Sequence, residues 1–211
     1  MTPGSRCRAS VIRSSPGDSR CAASGYHSVM QQRHQPAWPV LVDALSAYGV
    51  RYLSGASGDS GAAGEPVQMD PLDLLMYLAQ SPEPHLRQAL AALFLVHPEL
   101  ATIATQAAGT LPPASRDVLI ESYVAAIYLQ RLWRTRLRRY LGDQPTLPPL
   151  WVEDLGLPAA DDHYGKLGLA TLEARRSGRA HRRSSAYERV ALHLFGQLQA
   201  ERALFQRATA A

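Results

Sequence analysis

The chain has 211 residues, of which 46% are hydrophobic and 19% are charged, so it is long enough and apolar enough to bury a core. Its formal net charge is +4, but four of the 22 basic and one of the 18 acidic residues fall in residues 1–29. Residues 30–211 therefore hold 18 basic and 17 acidic residues, a net charge of +1. A body so close to neutral has no overall field that attracts nucleic acid or a membrane.

Cysteine usage and hydropathy exclude several other classes. Cys7 and Cys21 are the only cysteines, so residues 22–211 offer neither a disulfide framework nor a CxxC metal site. The longest apolar run, Val118 to Leu129, is interrupted by Glu121 and is too short to cross a bilayer. We therefore expect a cytoplasmic protein without a cofactor, a metal or a membrane partner.

The N-terminal segment differs in composition from the rest. Residues 1–36 are rich in Ser, Arg, Gly and Pro and lack an apolar period, which predicts a disordered tail. Two interpretations stay open: the segment is Arg/Ser-rich and acid-poor, as organelle transit peptides are, or Met30 is the true start. Residues 37–211 are predicted to form one helical domain, with a flexible glycine-rich linker at 54–69.

Prolines mark the expected helix starts. A first helix over residues 37–48 is followed by a short extended segment, Val50 to Leu53. Asp70-Pro71 then joins a capping residue to a first-turn proline, and Ser81-Pro82 and His97-Pro98 repeat the arrangement. The resulting helices, over 71–80, 82–96 and 98–108, have almost no loop between them and must pack as neighbours. Residues 81–101 resemble one HEAT-type unit, but a repeat array needs several copies, so no HEAT function is inferred.

Residues 118–141 are predicted to form the longest helix. Its first half is apolar on nearly every side, which is typical of a buried helix, whereas its second half carries five arginines. The helix should therefore run from the core to the edge of the domain, with Tyr123, Ile127 and Trp133 central to the core.

The remaining chain is predicted to form a strap and two more helices. Residues 144–160 are rich in proline and should lie extended across the helical body, with their apolar side chains facing it. A short helix over 164–176 is weakened by Gly165 and Gly168, and a last helix runs over 185–207. Ser185 and Glu188 have the spacing of a capping box in that helix. The fold class is all-α, with about seven helices.

Two motifs resemble enzyme sites. Gly58-Asp59-Ser60-Gly61 is similar to the sequence around the nucleophile of chymotrypsin-like proteases, but those enzymes are β-barrels and this stretch lies in the linker. Residues 49–73 resemble the opening segment of minimal nucleotidyltransferases, whose metal is held by an Asp-x-Asp pair. Here Asp70 and Asp73 are separated by two residues, a spacing that favours an N-cap plus a first-turn acid. A degenerate nucleotidyltransferase-like protein is therefore only a second alternative.

Metal-ligating residue types occur without a defining spacing. They are Asp161, Asp162, His163, His181 and His193. An Asp-Asp-His run in a proline-rich strap favours a solvated turn, and His193 lies among apolar neighbours, so no metal site is predicted. No catalytic constellation is found either.

Two arginine clusters are the candidate binding residues. Arginine makes up 21 of the 22 basic residues, a bias typical of GC-rich genomes, which reduces the weight of each one. In the structural interpretation, arginines at 131–139 stabilise a helix C-terminus and pair with acids of the strap. In the functional interpretation, guanidinium groups of both clusters bind phosphate or carboxylate groups. The candidate contacts are Arg131, Arg134, Arg138, Arg175, Arg176, Arg179, Arg182 and Arg183.

The sequence favours a non-enzymatic helical module that binds another protein through an apolar groove or the strap. A bacterial regulatory protein, the binding half of a two-gene system, fits this interpretation. The alternative is a nucleic-acid-binding protein that uses the arginine clusters at 131–139 and 175–183. It requires the two clusters to converge on one surface.

Overall fold

The computed structural model describes residues 36–54, 68–177 and 186–210. Within those ranges the chain forms eight α-helices and no β-strand, which confirms the all-α class. The helices are α1 (Trp38–Ala47), α2 (Pro71–Gln80), α3 (Pro84–Val96), α4 (Ala101–Thr110), α5 (Pro113–Leu132), α6 (Arg134–Leu141), α7 (Lys166–Ser177) and α8 (Ala186–Ala210). Short 3-10 turns at Pro98–Leu100 and Asp162–Gly165 precede α4 and α7.

Proline opens helices as the sequence predicts, with two shifts in position: α3 begins two residues later, and α4 begins at Ala101, after a 3-10 turn that Pro98 opens. α2 begins at Pro71, and Asp70 Oδ1 accepts a hydrogen bond from the Leu72 amide at 2.8 Å, so Asp70 is the N-cap. α3 begins at Pro84 and not at Pro82. The Ser81 hydroxyl accepts from the Glu83 amide at 3.2 Å, so these residues form a turn ahead of the helix.

α5 lies at the centre of the core and packs mainly on α3. Every residue from Ser122 to Gln130 is buried, as expected for a helix that is apolar on all sides. The Tyr123 ring meets Phe94 of α3 edge-on, with centroids 5.0 Å apart. Tyr123 and Ile127 are fully buried, which confirms their predicted place in the core.

The single helix predicted over residues 118–141 is wrong in two respects: the helix begins at Pro113, and it breaks at Trp133. Trp133 has φ −109° and ψ 19°, which ends α5, and α6 then runs from Arg134 to Leu141. Trp133 is also less central than predicted, because it is only partly buried at the edge of the core. Its ring packs edge-on against Phe195 of α8 at 5.7 Å, so the break coincides with a contact to a distant helix.

The extended segment predicted at Val50 to Leu53 is also wrong. Gly49, with φ +77°, ends α1, and the Val50 amide turns back to donate to the Leu45 carbonyl at 2.9 Å. Residues 52 and 53 form a turn. The backbone therefore satisfies its hydrogen bonds locally, without a neighbouring strand.

Side chains of α5 hold the proline-rich strap, residues 144–160, against the body. Three buried polar side chains of α5 donate to strap carbonyls: Tyr123 to Pro148 at 3.0 Å, Tyr128 to Pro158 at 2.7 Å and Gln130 to Pro145 at 2.9 Å. The apolar side chains Leu147, Val152 and Leu157 are buried. The strap thus lies across the body as predicted, but residues 150–156 form turns and are not extended, and Leu150, Trp151 and Leu155 are only partly buried.

Several predictions fall outside the described residues. They include the disordered tail with its cysteines, apart from residue 36, and the protease-like motif with most of the linker. They also include Ser185 of the capping box, three arginines of the second cluster (Arg179, Arg182 and Arg183) and the candidate metal ligand His181. Among the residues that are described, no single helix is long and apolar enough to cross a membrane. The segments Pro84–Val96 and Pro98–Thr110 reach that length and composition only as a pair bent by 110°.

Candidate functional site

A cleft of about 290 Å³ lies where α5, α6 and the strap meet. The break at Trp133 re-aims α6, while the residues after Gly142 turn back along α5. Arginines, acids and amides predominate in its lining, which includes Gln130, Arg131, Arg134, Arg138, Asp143, Gln144, Thr146 and Asp161. Three candidate arginines of the first cluster therefore face one cleft, although the break at Trp133 places Arg131 on α5 and Arg134 and Arg138 on α6.

Arg131 is the most strongly held of the three. Its side chain is 15% exposed, its Nε donates to Asp161 Oδ1 at 2.7 Å, and its second contact is to Gln130 Oε1 at 3.0 Å. Gln130 is fixed in turn, because its amide donates to Pro145 and its oxygen accepts from the Leu147 amide at 2.8 Å. This chain of contacts holds the Arg131 guanidinium rigid at one end of the cleft.

Arg138 and Arg134 differ in their partners. Arg138 pairs with Asp143 at 2.7 Å, but both side chains are largely exposed, so the pair contributes little to stability. Arg134 is exposed and makes no ion pair or hydrogen bond with the described part of the chain. Its guanidinium is therefore available to an external acceptor.

The other two arginines of the first cluster face elsewhere. Arg136 lies over the Phe195 ring at 4.6 Å, a cation–π contact that holds α6 on α8. Arg139 is exposed and lines a second cleft, of about 410 Å³, together with Trp133 and Tyr140. The first cluster is thus split between two surfaces.

The described members of the second cluster lie beside the other half of α5. Arg175 donates to the Leu155 carbonyl at 2.7 Å, and Arg176 lies 5.7 Å from the Tyr187 ring. Both interact electrostatically with Glu121, which precedes Arg131 by ten residues, or roughly 15 Å along the helix. Arg175 and Arg176 therefore do not join Arg131, Arg134 and Arg138 on one surface.

Glu121 is the single acidic residue within the buried half of α5. Burial raises the pKa of Glu121, as does the nearby Asp117 carboxylate, while Arg176 and Arg175 act in the opposite direction. It lines two clefts, one shared with Ser122 and Tyr187 and the other with Trp151 and Arg175. A half-buried carboxyl group with a raised pKa is the most perturbed acid that the structure describes.

The candidate metal ligands that the structure describes do not form a site. Asp70 uses an oxygen to cap α2 and Asp73 lies in the first turn of that helix, as the structural interpretation predicts. Asp161 is committed to Arg131, and His193 packs edge-on against Tyr52 at 5.7 Å. Across residues 36–54, 68–177 and 186–210, no group of three or more His, Cys, Asp or Glu side chains could hold a metal ion.

A strained turn next to the cleft was not predicted. His163, Tyr164 and Gly165 have successive φ values of 47°, 56° and 79°, a conformation that L-residues other than glycine rarely adopt. The turn leaves the Tyr164 side chain 81% exposed. The backbone amide of Tyr164 donates to the Asp161 carbonyl at 3.2 Å. No sequence signal marks two successive non-glycine residues for this conformation.

The end of α8 is the largest exposed apolar feature that sequence reasoning passed over. α8 is buried at Leu194 and Phe195 and partly buried at Leu198, but every residue from Arg202 to Ala210 is exposed. Leu204 and Phe205 are 63% and 71% exposed. The signal was present, because Leu194, Leu198 and Phe205 form one apolar stripe, but the sequence does not show where the body ends beneath it.

Comparisons of this chain with models of protein families, with curated proteins and with solved structures find no match.

Proposed function

We propose that this chain is a non-enzymatic protein-interaction module that inserts the end of α8 into an apolar groove of a partner protein. The observation that carries the proposal is the stripe on α8, which continues past the domain and leaves Phe205 71% exposed. The exposed apolar side chains of this helix end, Leu204 and Phe205, suit recognition in an apolar groove.

The base of this helix end is held firmly. Glu201 accepts from Arg51 at 3.4 Å and from Gln197 at 3.0 Å, and Arg202 donates to the Arg139 carbonyl at 3.4 Å. The contacts of Glu201 with Arg51 and of Arg202 with Arg139 join α8 to the body at the start of the exposed part, whereas the contact between Gln197 and Glu201 lies within α8. The residues beyond Arg202 are therefore presented in a fixed direction, which lowers the entropy lost on binding.

A different protein suits this helix end better than a second copy of the chain. Two copies of the exposed part, residues 202–210, that lay side by side would bury only one stripe each, because two straight helices touch along one face. A stable interface needs about 800 Å² from each partner. A groove that wraps the helix contacts more of its circumference and approaches that area more closely. From the composition, we also propose that the partner is cytoplasmic.

Matched serine substitutions on α8 test the proposal in extracts of the source organism. Phe205→Ser and Leu192→Ser each remove one exposed apolar side chain, but Leu192 lies on the part of α8 that packs on the body. We expect Phe205→Ser to abolish co-purification of a stoichiometric partner and Leu192→Ser to retain it. Equal retention by both variants, or elution of the wild-type chain as a dimer of itself alone, would overturn the proposal.

A further inference from the structure

We propose that the cleft between α5, α6 and the strap binds a carboxylate group from an acidic segment of the partner protein, with Arg134 as its main donor. The inference rests on the proposed function, since it names the chemistry of a second contact with the same partner. It uses a surface separate from the end of α8, so the two contacts can be tested one at a time.

The state of Arg134 is the first observation. The two other arginines of the cleft, Arg131 and Arg138, each pair with an aspartate. Arg134 lines the same cleft from the start of α6, yet it has no such partner within the described residues. Its fork of N–H groups matches the two oxygens of a carboxylate.

The net charge and the volume of the cleft indicate the charge and the size of the ligand. Arg131, Arg134 and Arg138 supply three positive charges, and Asp143 and Asp161 supply two negative ones, which leaves +1. A single carboxylate neutralises that charge. The volume of about 290 Å³ accommodates one acidic side chain with its flanking backbone.

The same observations disfavour nucleic acid as the ligand. Asp143 and Asp161 are 79% and 86% exposed, so a continuous row of phosphates crossing the cleft would meet two carboxylates. Arg175 and Arg176 of α7 lie beside Glu121, roughly 15 Å along α5 from Arg131, which is too far to extend the positive surface of the cleft. Binding through several phosphates needs a basic stripe, which the described residues do not form.

Arg131 is suited to support the carboxylate because it is already ordered. Its contacts to Asp161 and Gln130 fix the guanidinium plane before any ligand arrives. It therefore adds a fixed positive charge at one end of the cleft without losing side-chain entropy on binding. Arg131 is a positioning residue in this account, and Arg134 makes the direct contact.

The test measures binding of the full chain to a fluorescently labelled peptide of alternating glutamate and alanine, by anisotropy at low salt. The comparison ligands are the same peptide with glutamine for glutamate and a labelled DNA duplex of equal net charge. The variants are Arg134→Ala, Arg134→Lys and, as a matched control, Arg139→Ala. Arg139 is an exposed arginine of the same helix that lines the other cleft.

We expect the glutamate peptide to bind and the glutamine peptide not to bind. Arg134→Ala should weaken binding by about 10-fold, the loss of one charged hydrogen-bonded pair. The affinity of Arg134→Lys should lie between those of Arg134→Ala and the wild type, because lysine keeps the positive charge but lacks the fork of N–H groups. Arg139→Ala should bind as tightly as the wild type. Thermal unfolding of each variant establishes that the substitution leaves the fold intact.

Equal loss in Arg134→Ala and Arg139→Ala would overturn the inference in favour of nonspecific charge attraction. Tighter binding of the duplex than of the peptide would show that the cleft binds nucleic acid and not an acidic protein segment. Absence of peptide binding would also overturn it. The variant Phe205→Ser should bind the peptide normally, so failure of the proposed role of α8 is distinguishable from failure of the cleft.

Discussion

Gly168 of α7 lies directly against the ring of Tyr128 on α5, and a methyl group added to Gly168 would overlap that ring. Tyr128 cannot retreat, because it is fully buried and its hydroxyl donates to the Pro158 carbonyl at 2.7 Å. Burial also raises the pKa of Tyr128 to about 12, so the hydroxyl stays protonated as a donor. The glycine that weakens α7 as a helix is thus what allows α7 to pack on α5.

Gly168→Ala should lower the free energy of unfolding by about 1–3 kcal/mol, the usual cost of overfilling a packed core. The measurement is urea unfolding followed by circular dichroism. Gly196→Ala is the matched control, since Gly196 lies inside α8 with nothing within 4 Å of an added methyl group. It should be neutral or stabilise the chain by up to about 1 kcal/mol. A Gly168→Ala variant as stable as the wild type would contradict the close packing.

The N-cap of α2 gives a second stability prediction. Asp70→Ala removes the acceptor of the Leu72 amide and should cost about 0.5–2 kcal/mol. Asp70→Asn keeps an acceptor and should recover most of that loss. If both variants were as stable as the wild type, the capping role of Asp70 would be wrong. The resemblance of Asp70 and Asp73 to the metal-binding pair of nucleotidyltransferases would then need a direct test.

Gln130 connects the core to the strap and to the cleft. Gln130→Ala leaves the Leu147 amide without its acceptor and frees Arg131 from one of its two contacts. Because Gln130 is buried, we expect a loss of about 1–3 kcal/mol. Hydrogen exchange should show faster exchange of the Leu147 amide while α2 keeps its protection. Unchanged protection at Leu147 would show that the strap is held by its apolar contacts alone.

Glu121 predicts a dependence of stability on pH. Its raised pKa, caused mainly by burial, means that the folded chain holds this proton more tightly than the unfolded chain does. The stability it contributes is therefore present below the unfolded pKa and is lost as the pH rises towards the folded pKa. Glu121→Gln should stabilise the chain above that range and have little effect below it.

Unfolding measured from pH 3 to pH 8 checks this prediction, with Glu153→Gln as the control at an exposed strap position. The expected gain is below about 1 kcal/mol, because Glu121 is only half buried and solvent screens it. A Glu121→Gln variant that is less stable at neutral pH would mean that the attraction to Arg175 and Arg176 outweighs the cost of burial.

Local signals in the sequence predicted much of the fold. Asp70 and Pro71 fix the start of α2 through capping and a preset φ, and the all-round apolar run that includes Tyr123 and Ile127 indicated the central helix. The break at Trp133 was not predictable in this way, because no proline or glycine lies near it. It coincides with contacts of Trp133 and Arg136 to Phe195, about 60 residues away.

The candidate site shows the same division. The sequence grouped Arg131, Arg134 and Arg138 on one face of a single helix, whereas they line one cleft from two helices. It also offered several acids of the strap as partners. The fold alone selects Asp161 for Arg131 and leaves Arg134 unpaired among the described residues. The apolar stripe of α8 was visible from its spacing, whereas the exposure of Phe205 depends on where the neighbouring helices end.

Site-specific photo-crosslinking in cells of the source organism tests the central proposal most directly. A photoreactive phenylalanine analogue replaces Phe205 in the full chain, and the same analogue at Gln199, an exposed position on the body side of the helix end, is the control. We expect one crosslinked partner protein at position 205 and none at position 199. No crosslink at position 205, the same products at both positions, or a crosslink only to a second copy of the chain would contradict it.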